Sequence, residues 1–178
     1  AYRRPVTLWG YVRIPPEGKT LASQAQLRKV LELGCRTGRV SAYLANCGLQ
    51  VTGVDFSQAA IAAANKRVAG QARRPESVVA DVTQLDVPDG PCHGAVDIGC
   101  FHCHDDDARR AYAARVANLL QPGATHLIWA MDSAPDGPKV TPTVIETTFA
   151  DWFGILDQRR SRRRLVSSHW YWLQRIPS

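Results

Sequence analysis

Glu32, Gly34, Gly38, Asp55 and Asp81 are the residues whose types and spacing could do chemistry. In VLELGCRTGRVSAYLA, residues 30–45, an apolar run reaches Gly34 and Gly38 and then enters a segment of helical period. A strand, a glycine turn and a helix N-terminus in that order aim backbone N–H groups at a ligand. Glu32, near the end of that strand, can accept hydrogen bonds from a ligand's amino or hydroxyl groups. Asp55 closes a second apolar run, 21 residues beyond Gly34. Dinucleotide-type folds place the carboxylate that grips a ribose diol at about that separation. Asp81 closes a third run. Three acids lining the carboxyl edge of one sheet, beside a glycine turn, predict a nucleoside site.

Two other chemistries fit less well. Cys92, His93, Cys100, His102, Cys103 and His104 invite a metal reading, since cysteine and histidine are zinc ligands. Neighbours along a strand point to opposite faces, however, and paired C-x-x-C knuckles are missing, so no metal is expected. A nicotinamide oxidoreductase would need its Gly-x-Gly-x-x-Gly fingerprint on positions 34, 36 and 39, yet Arg36 and Arg39 occupy two of the three.

The chain that must position these residues has 178 of them, 45% apolar and 21% charged, which suits one ordinary globular domain. No apolar run approaches the roughly 20 residues of a membrane-spanning helix, and the start lacks the charged-then-apolar order of a secretory signal. A cytoplasmic location is expected. The five cysteines are odd in number and irregular in spacing, which predicts free thiols. The formal charge of +6 would allow polyanion binding, but five arginines fall in the single run Arg159, Arg160, Arg162, Arg163 and Arg164.

Short apolar runs alternate with segments of helical period, the pattern of an α/β sheet. Strands are predicted over residues 30–33, 51–55, 78–81, 96–100 and 126–130, apolar on both faces as parallel strands require. Ser57 can cap a helix that runs to Gly70, and Asp105, Asp106 and Asp107 open another that halts before Pro122. A shorter helix is predicted over 39–47 and a further one over 144–151. Residues 153–158 and 169–174 read as two strands, and their short arginine-rich connection predicts an antiparallel hairpin.

In LELGCRTG, VTGVDFS, VVADVTQLD, GAVDIGCFH and LLQPGATHLIWA the chain resembles the class I S-adenosylmethionine-dependent methyltransferases, over roughly residues 28–131 and more loosely beyond. The resemblance implies a single-domain, Rossmann-like α/β fold: a seven-stranded, mostly parallel sheet with helices on both faces and a C-terminal antiparallel hairpin. Residues 1–20 would be an N-terminal lid or cap, with Trp9 and Tyr11 over the site, 28–131 the cofactor core, and 132–178 a loop, helix and hairpin. The implied cofactor is S-adenosyl-L-methionine, leaving as S-adenosyl-L-homocysteine. Carried over, Gly34, Cys35 and Gly38 hold its methionine part, Asp55 the ribose hydroxyls and Asp81 the adenine amino group. Phe56 and Val82 flank the ring, and Cys100 and Phe101 lie near the sulfonium.

The family usually has glycine where this chain has Arg36. If that position demands φ above zero, strain of roughly 1–2 kcal/mol is expected to weaken cofactor binding without abolishing it. The implied activity is methyl transfer to a small-molecule oxygen, sulfur or nitrogen by in-line displacement. Where the acceptor must lose a proton, His102 and His104, just past the fourth strand, are the expected bases. Nucleic acid is the alternative acceptor, favoured by the charge, although the Asn/Asp-Pro-Pro-aromatic motif is replaced by CFHC. A non-catalytic binding module weakened by Arg36 is the alternative outside enzymes.

Overall fold

The apolar runs fold as strands of one sheet. The computed structural model describes residues 13–87, 90–132, 139–161 and 167–177. Its strands are β1 (Lys29–Leu33), β2 (Gln50–Asp55), β3 (Glu76–Val79), β4 (Cys92–Ile98), β5 (Leu120–Met131), β6 (Phe153–Arg160) and β7 (Ser168–Arg175). They lie in the order β3-β2-β1-β4-β5-β7-β6. The first five pair in parallel, and β7 runs antiparallel to both β5 and β6. This is the seven-stranded Rossmann-like sheet with a C-terminal hairpin that the sequence predicts.

Alternation along the strands builds two cores, because neighbouring side chains leave opposite faces. Val30, Val51, Val96, Leu127 and Trp170 face one side, where α1 (Pro16–Ala22) contributes Leu21 and α2 (Arg39–Asn46) contributes Val40 and Leu44. Leu31, Leu33, Val54, Ile128 and Tyr171 face the other, with Tyr112 and Val116 of α4 (Asp106–Leu119) and Phe149 of α5 (Pro142–Phe149). Helix α3 (Gln58–Val68) packs beside α2. Its cap is Ser57, whose Oγ accepts from the Ala60 N–H at 3.2 Å, and α4 is capped by Asp105 Oδ1 from the Ala108 N–H at 2.9 Å.

Several boundaries differ from the sequence reading, among them the start of β4 at Cys92 rather than 96 and α5 two residues earlier than 144–151, and four have a clear local reason. Strand β4 ends at Ile98 rather than Cys100, because Gly99 turns the chain out with φ +92°. Strand β3 ends at Val79, leaving Asp81 in a turn that its own carboxylate closes by accepting the Thr83 N–H at 2.8 Å. Helix α4 passes straight into β5, since Leu120 already pairs with Cys92 across an irregular register. Helix α1 occupies part of the segment read as a lid, and buries Leu21 completely. Trp9 and Tyr11 lie outside the described residues. Among the described residues, no helix is long and apolar enough to cross a membrane.

Candidate functional site

Strand β1 delivers the chain to a turn that only a small residue can begin. Gly34 has φ +68°, and a Cβ there would stand 2.6 Å from Cys100 Cβ, so β1 and the chain after β4 meet at van der Waals range. Gly38, with φ +67°, caps α2, and a Cβ on it would lie 2.8 Å from Ala64 Cβ of α3. Between them Arg36 takes φ +52°, the one positive φ outside glycine among the described residues. The position does demand the left-handed region.

Asp55, last residue of β2, holds that turn in place. Its Oδ2 accepts the Arg36 N–H and its Oδ1 the Ser57 N–H, each at 2.9 Å. One buried carboxylate therefore ties the glycine turn to the start of α3. The next residue, Phe56, is 85% exposed, and Val79 at the end of β3 is 50% exposed. An apolar surface stands open beside an oriented acid. Asp81 is exposed two residues beyond β3; the Thr83 N–H and hydroxyl hold its carboxyl below the usual range. The Ala80 N–H donates to Asp55 O at 3.1 Å, which keeps Asp81 against the same edge.

Glu32 lies deeper. It is buried, and Ser41 of α2 donates its hydroxyl to Oε2. Burial pushes its pKa up to about 7; the Ser41 hydrogen bonds counter this, while the Asp97 and Asp55 charges add to it. Burial likewise raises the Cys35 and Cys100 thiols, with Glu32 and Asp55 acting on the first, and Asp97, Asp55 and Asp81 among the charges acting on the second. Glu32, Cys35, Asp55, Asp81 and Cys100 thus converge on one edge. The side chains of Val82 and Phe101 do not join them, being buried in the core on the α4 side.

The chain after β4 hangs from a residue the sequence reading passed over. Asp97 is fully buried and accepts the Cys100 N–H at 2.7 Å, the Phe101 N–H at 3.0 Å and the Tyr112 hydroxyl at 2.7 Å. Burial moves its pKa up to about 6 against those bonds. The Tyr112 oxygen also lies 3.1 Å from His126 Nε2. Asp97 is the sole charge in the run 94–101, which was its available signal; Ser41 and Tyr112 carried none beyond a polar atom on an otherwise buried helix face.

The two candidate bases differ in surroundings. His102 Nδ1 accepts the Met131 N–H at 3.4 Å and its ring meets Trp129 edge-on, pinning the 3-10 turn Phe101–Cys103 to β5. Burial, with Arg109 adding, lowers its pKa to about 4. His104 is also lowered by burial, though the Asp81 charge opposes this; its Nε2 lies 3.7 Å from Cys100 Sγ.

Away from this edge, Arg159 stacks over Trp172 at 5.0 Å and pairs with Asp157, so part of the arginine run is engaged within the sheet. Arg162, Arg163 and Arg164 lie outside the described residues. All five cysteines are free, and among the described residues no group of three or more His, Cys, Asp or Glu could hold a metal ion.

A family model described as a methyltransferase domain matches residues 30–123, the stretch that carries the turn, Asp55 and Asp97. An uncharacterized methyltransferase of Schizosaccharomyces pombe, C750.03c, is 30% identical over 90 residues, 51% of this chain and 62% of its own. The match therefore spans under two thirds of that relative. Among solved structures, the N-methyltransferase NodS from Bradyrhizobium japonicum WM9 in complex with S-adenosyl-L-homocysteine superposes with a TM-score of 0.79 at 16% identity, over 91% of this chain and 85% of that one. The Burkholderia thailandensis 1,6-didemethyltoxoflavin-N1-methyltransferase, with 1,6-didemethyltoxoflavin and S-adenosylhomocysteine bound, gives 0.75 at 24% identity, over 91% and 77%. These likenesses establish the fold.

Proposed function

The chain belongs to the methyltransferase domain family, and from that premise we propose that it transfers a methyl group from S-adenosyl-L-methionine to a small-molecule oxygen, sulfur or nitrogen nucleophile by in-line displacement. One observation carries the reading: a buried carboxylate, Asp55, fixed by two backbone amides beside an 85% exposed phenyl ring, Phe56. An acid with spare lone pairs accepts from a ribose diol, and an open aromatic face takes a flat base. That chemistry fits an adenosine. Asp81, exposed at the same edge, suits the adenine amino group. The glycine turn with Cys35 and Glu32 suits the methionine end.

The bound cofactor supplies an electrophilic methyl on a good leaving group, so the protein's task is mostly to hold the nucleophile at near-attack distance. Asp97 performs part of it by fixing the Cys100 and Phe101 amides, which set the floor next to the cofactor. His102 stays neutral at working pH and anchors the loop to β5. His104, less buried, is the better placed of those two for a proton. A small acceptor agrees with the bound substrate of the Burkholderia enzyme. The cytoplasm stands as the proposed location.

Calorimetric titration with S-adenosylhomocysteine tests the cofactor, and incubation with labelled S-adenosylmethionine and a panel of phenols, amines and thiols tests the transfer. Binding that vanishes in Asp55→Ala supports the reading. Wild-type protein that gives no heat with either compound overturns it.

A further inference from the structure

A second polar cluster stands at the carboxyl edge of the sheet, on β5 and β7 and apart from the adenosine residues. Asp132 directly follows β5. Its Oδ1 lies 2.7 Å from His169 Nδ1, and its Oδ2 accepts the Ser167 hydroxyl at 2.5 Å. Its own N–H donates to Ser167 O at 2.9 Å, so the backbone is tied to the start of β7 as well as both carboxylate oxygens being held. A carboxylate only accepts; the proton of this bond therefore sits on Nδ1, and a neutral His169 presents Nε2 as an acceptor. The pair is sheltered but reachable, with side chains 19% and 18% exposed. Beside it the His169 and Tyr171 rings lie 5.9 Å apart between centroids, and the buried Tyr171 hydroxyl has no hydrogen-bond partner among the described residues.

The sheet register relates this pair to the cofactor edge. Ile98 of β4 pairs with Trp129, and Ala130 of β5 pairs with His169. Two strand spacings separate them, about 10 Å. Tyr171 belongs to the apolar core against which Cys100 packs, and His169, two residues before it on β7, leaves the same face of the sheet. That gap suits a single small acceptor.

We propose that His169, held through Nδ1 by Asp132, is the general base of methyl transfer, and that the acceptor is a protic O–H or N–H nucleophile. This rests on the methyl-transfer reading above. The acceptor's lone pair forms the bond to the methyl carbon, the methyl–sulfur bond breaks with its electron pair going to sulfur, and the acceptor's proton passes to His169 Nε2. Asp132 is a positioning residue that fixes the tautomer. Thiols, with a pKa of about 8.5, are already partly ionised near pH 8 and depend less on such a base; a base is needed where the proton would otherwise leave late.

The test compares wild type, His169→Gln, Asp132→Asn and His104→Ala. S-adenosylhomocysteine should bind all four with affinities within about threefold of one another. Near pH 8, His169→Gln should lose about 100-fold or more on phenols and amines that still carry their proton, and only a few-fold on nitrophenols already ionised. Asp132→Asn should follow the same split, and nitrogen-15 spectra of its imidazole should show His169 moving off the Nδ1–H tautomer that wild type displays. Equal losses on ionised and protonated acceptors, a wild-type rate in His169→Gln, or a loss carried by His104→Ala instead, overturns the assignment. Wild type that binds S-adenosylhomocysteine but methylates no panel member overturns it together with the small-acceptor reading. Wild type that binds no cofactor overturns methyl transfer itself.

Discussion

The backbone N–H of Arg36 donates to Oδ2 of Asp55 at 2.9 Å, from a residue whose φ of +52° lies in the left-handed region. A residue with a Cβ carries roughly 1–2 kcal/mol of strain there. The Asp55 bond, together with those from the Cys35 N–H to Val54 O and the Gly38 N–H to Cys35 O, keeps it so. Strain enforced by the chain's own bonds weighs on folding rather than on the ligand, which revises the expectation that Arg36 weakens cofactor binding. Arg36→Gly relaxes φ but adds about 0.5–1 kcal/mol of unfolded-chain entropy. We expect it to unfold near the wild-type midpoint and to bind S-adenosylhomocysteine within about threefold of wild type. Arg36→Val should cost about 1 kcal/mol or more, since β-branched residues tolerate this φ worst. Urea unfolding and calorimetry check both, and a tenfold gain in affinity for the glycine variant would restore the sequence-based view.

Gly34 meets two constraints at once, a φ of +68° and a Cys100 Cβ only 2.6 Å from where its own would be. Gly34→Ala therefore combines backbone strain with overpacking, for a loss of roughly 2–5 kcal/mol. Cys100→Gly in the same chain removes the clash and leaves the φ. The double variant should recover about 1–3 kcal/mol of the loss in urea unfolding. Additive losses would show that the two positions do not touch.

The convergence of Glu32, Cys35, Asp55 and Asp81 on one sheet edge was legible because its signals are local. A glycine turn after an apolar run, and acids at the ends of the next two, are spaced in the chain much as they are in the fold; Ser57 and Asp105 announced their helices by cap chemistry together with the helical period and the stops at Gly70 and Pro122 that follow. What escaped depends on contacts distant in sequence. Asp97 reads as an oddity in an apolar run until Tyr112, 15 residues on, arrives to donate to it. Asp132 and His169 are 37 residues apart and meet only because β7 turns back onto β5. Helix α1 has too short a pattern to show, and Val82 was assigned to the adenine from its place in a motif while its side chain turns into the core.

Glu32 should make stability depend on pH in a direction that a glutamine removes. Its pKa is about 7 when folded and 4.5 as a free side chain. Below the lower value both states hold the proton. Between the two values the folded chain keeps a proton that the unfolded chain has released, so stability falls as pH rises, by about 3 kcal/mol in all. Other buried groups titrate in the same window, His102 with the opposite sign. The informative quantity is therefore the difference between wild type and Glu32→Gln. We expect the variant to match wild type near pH 4 and to be the more stable protein near pH 8, while binding S-adenosylmethionine less tightly. Thermal melts across that range decide it; a difference constant with pH would mean that Glu32 ionises normally.

Tyr112→Phe should cost more at high pH than at low. The Tyr112 hydroxyl donates to Asp97 Oδ2 at 2.7 Å, and Tyr112, Asp97 and His126 are each fully buried. Removing the hydroxyl strips one donor from a carboxylate that also carries the Cys100 and Phe101 amides, and leaves His126 Nε2 facing a ring edge. A lost bond to a buried charge costs about 1–3 kcal/mol. Asp97 titrates at about 6 in the folded chain, so near pH 5 it is largely neutral and needs the donor less, whereas near pH 8 it is ionised and needs it fully. The loss measured by urea unfolding should therefore grow between those two conditions. Hydrogen exchange at the Cys100 and Phe101 amides should speed up in step, since both hang from the same carboxylate. A loss equal at the two pH values, with those amides still protected, would mean that the hydroxyl fills space and does not hold the loop.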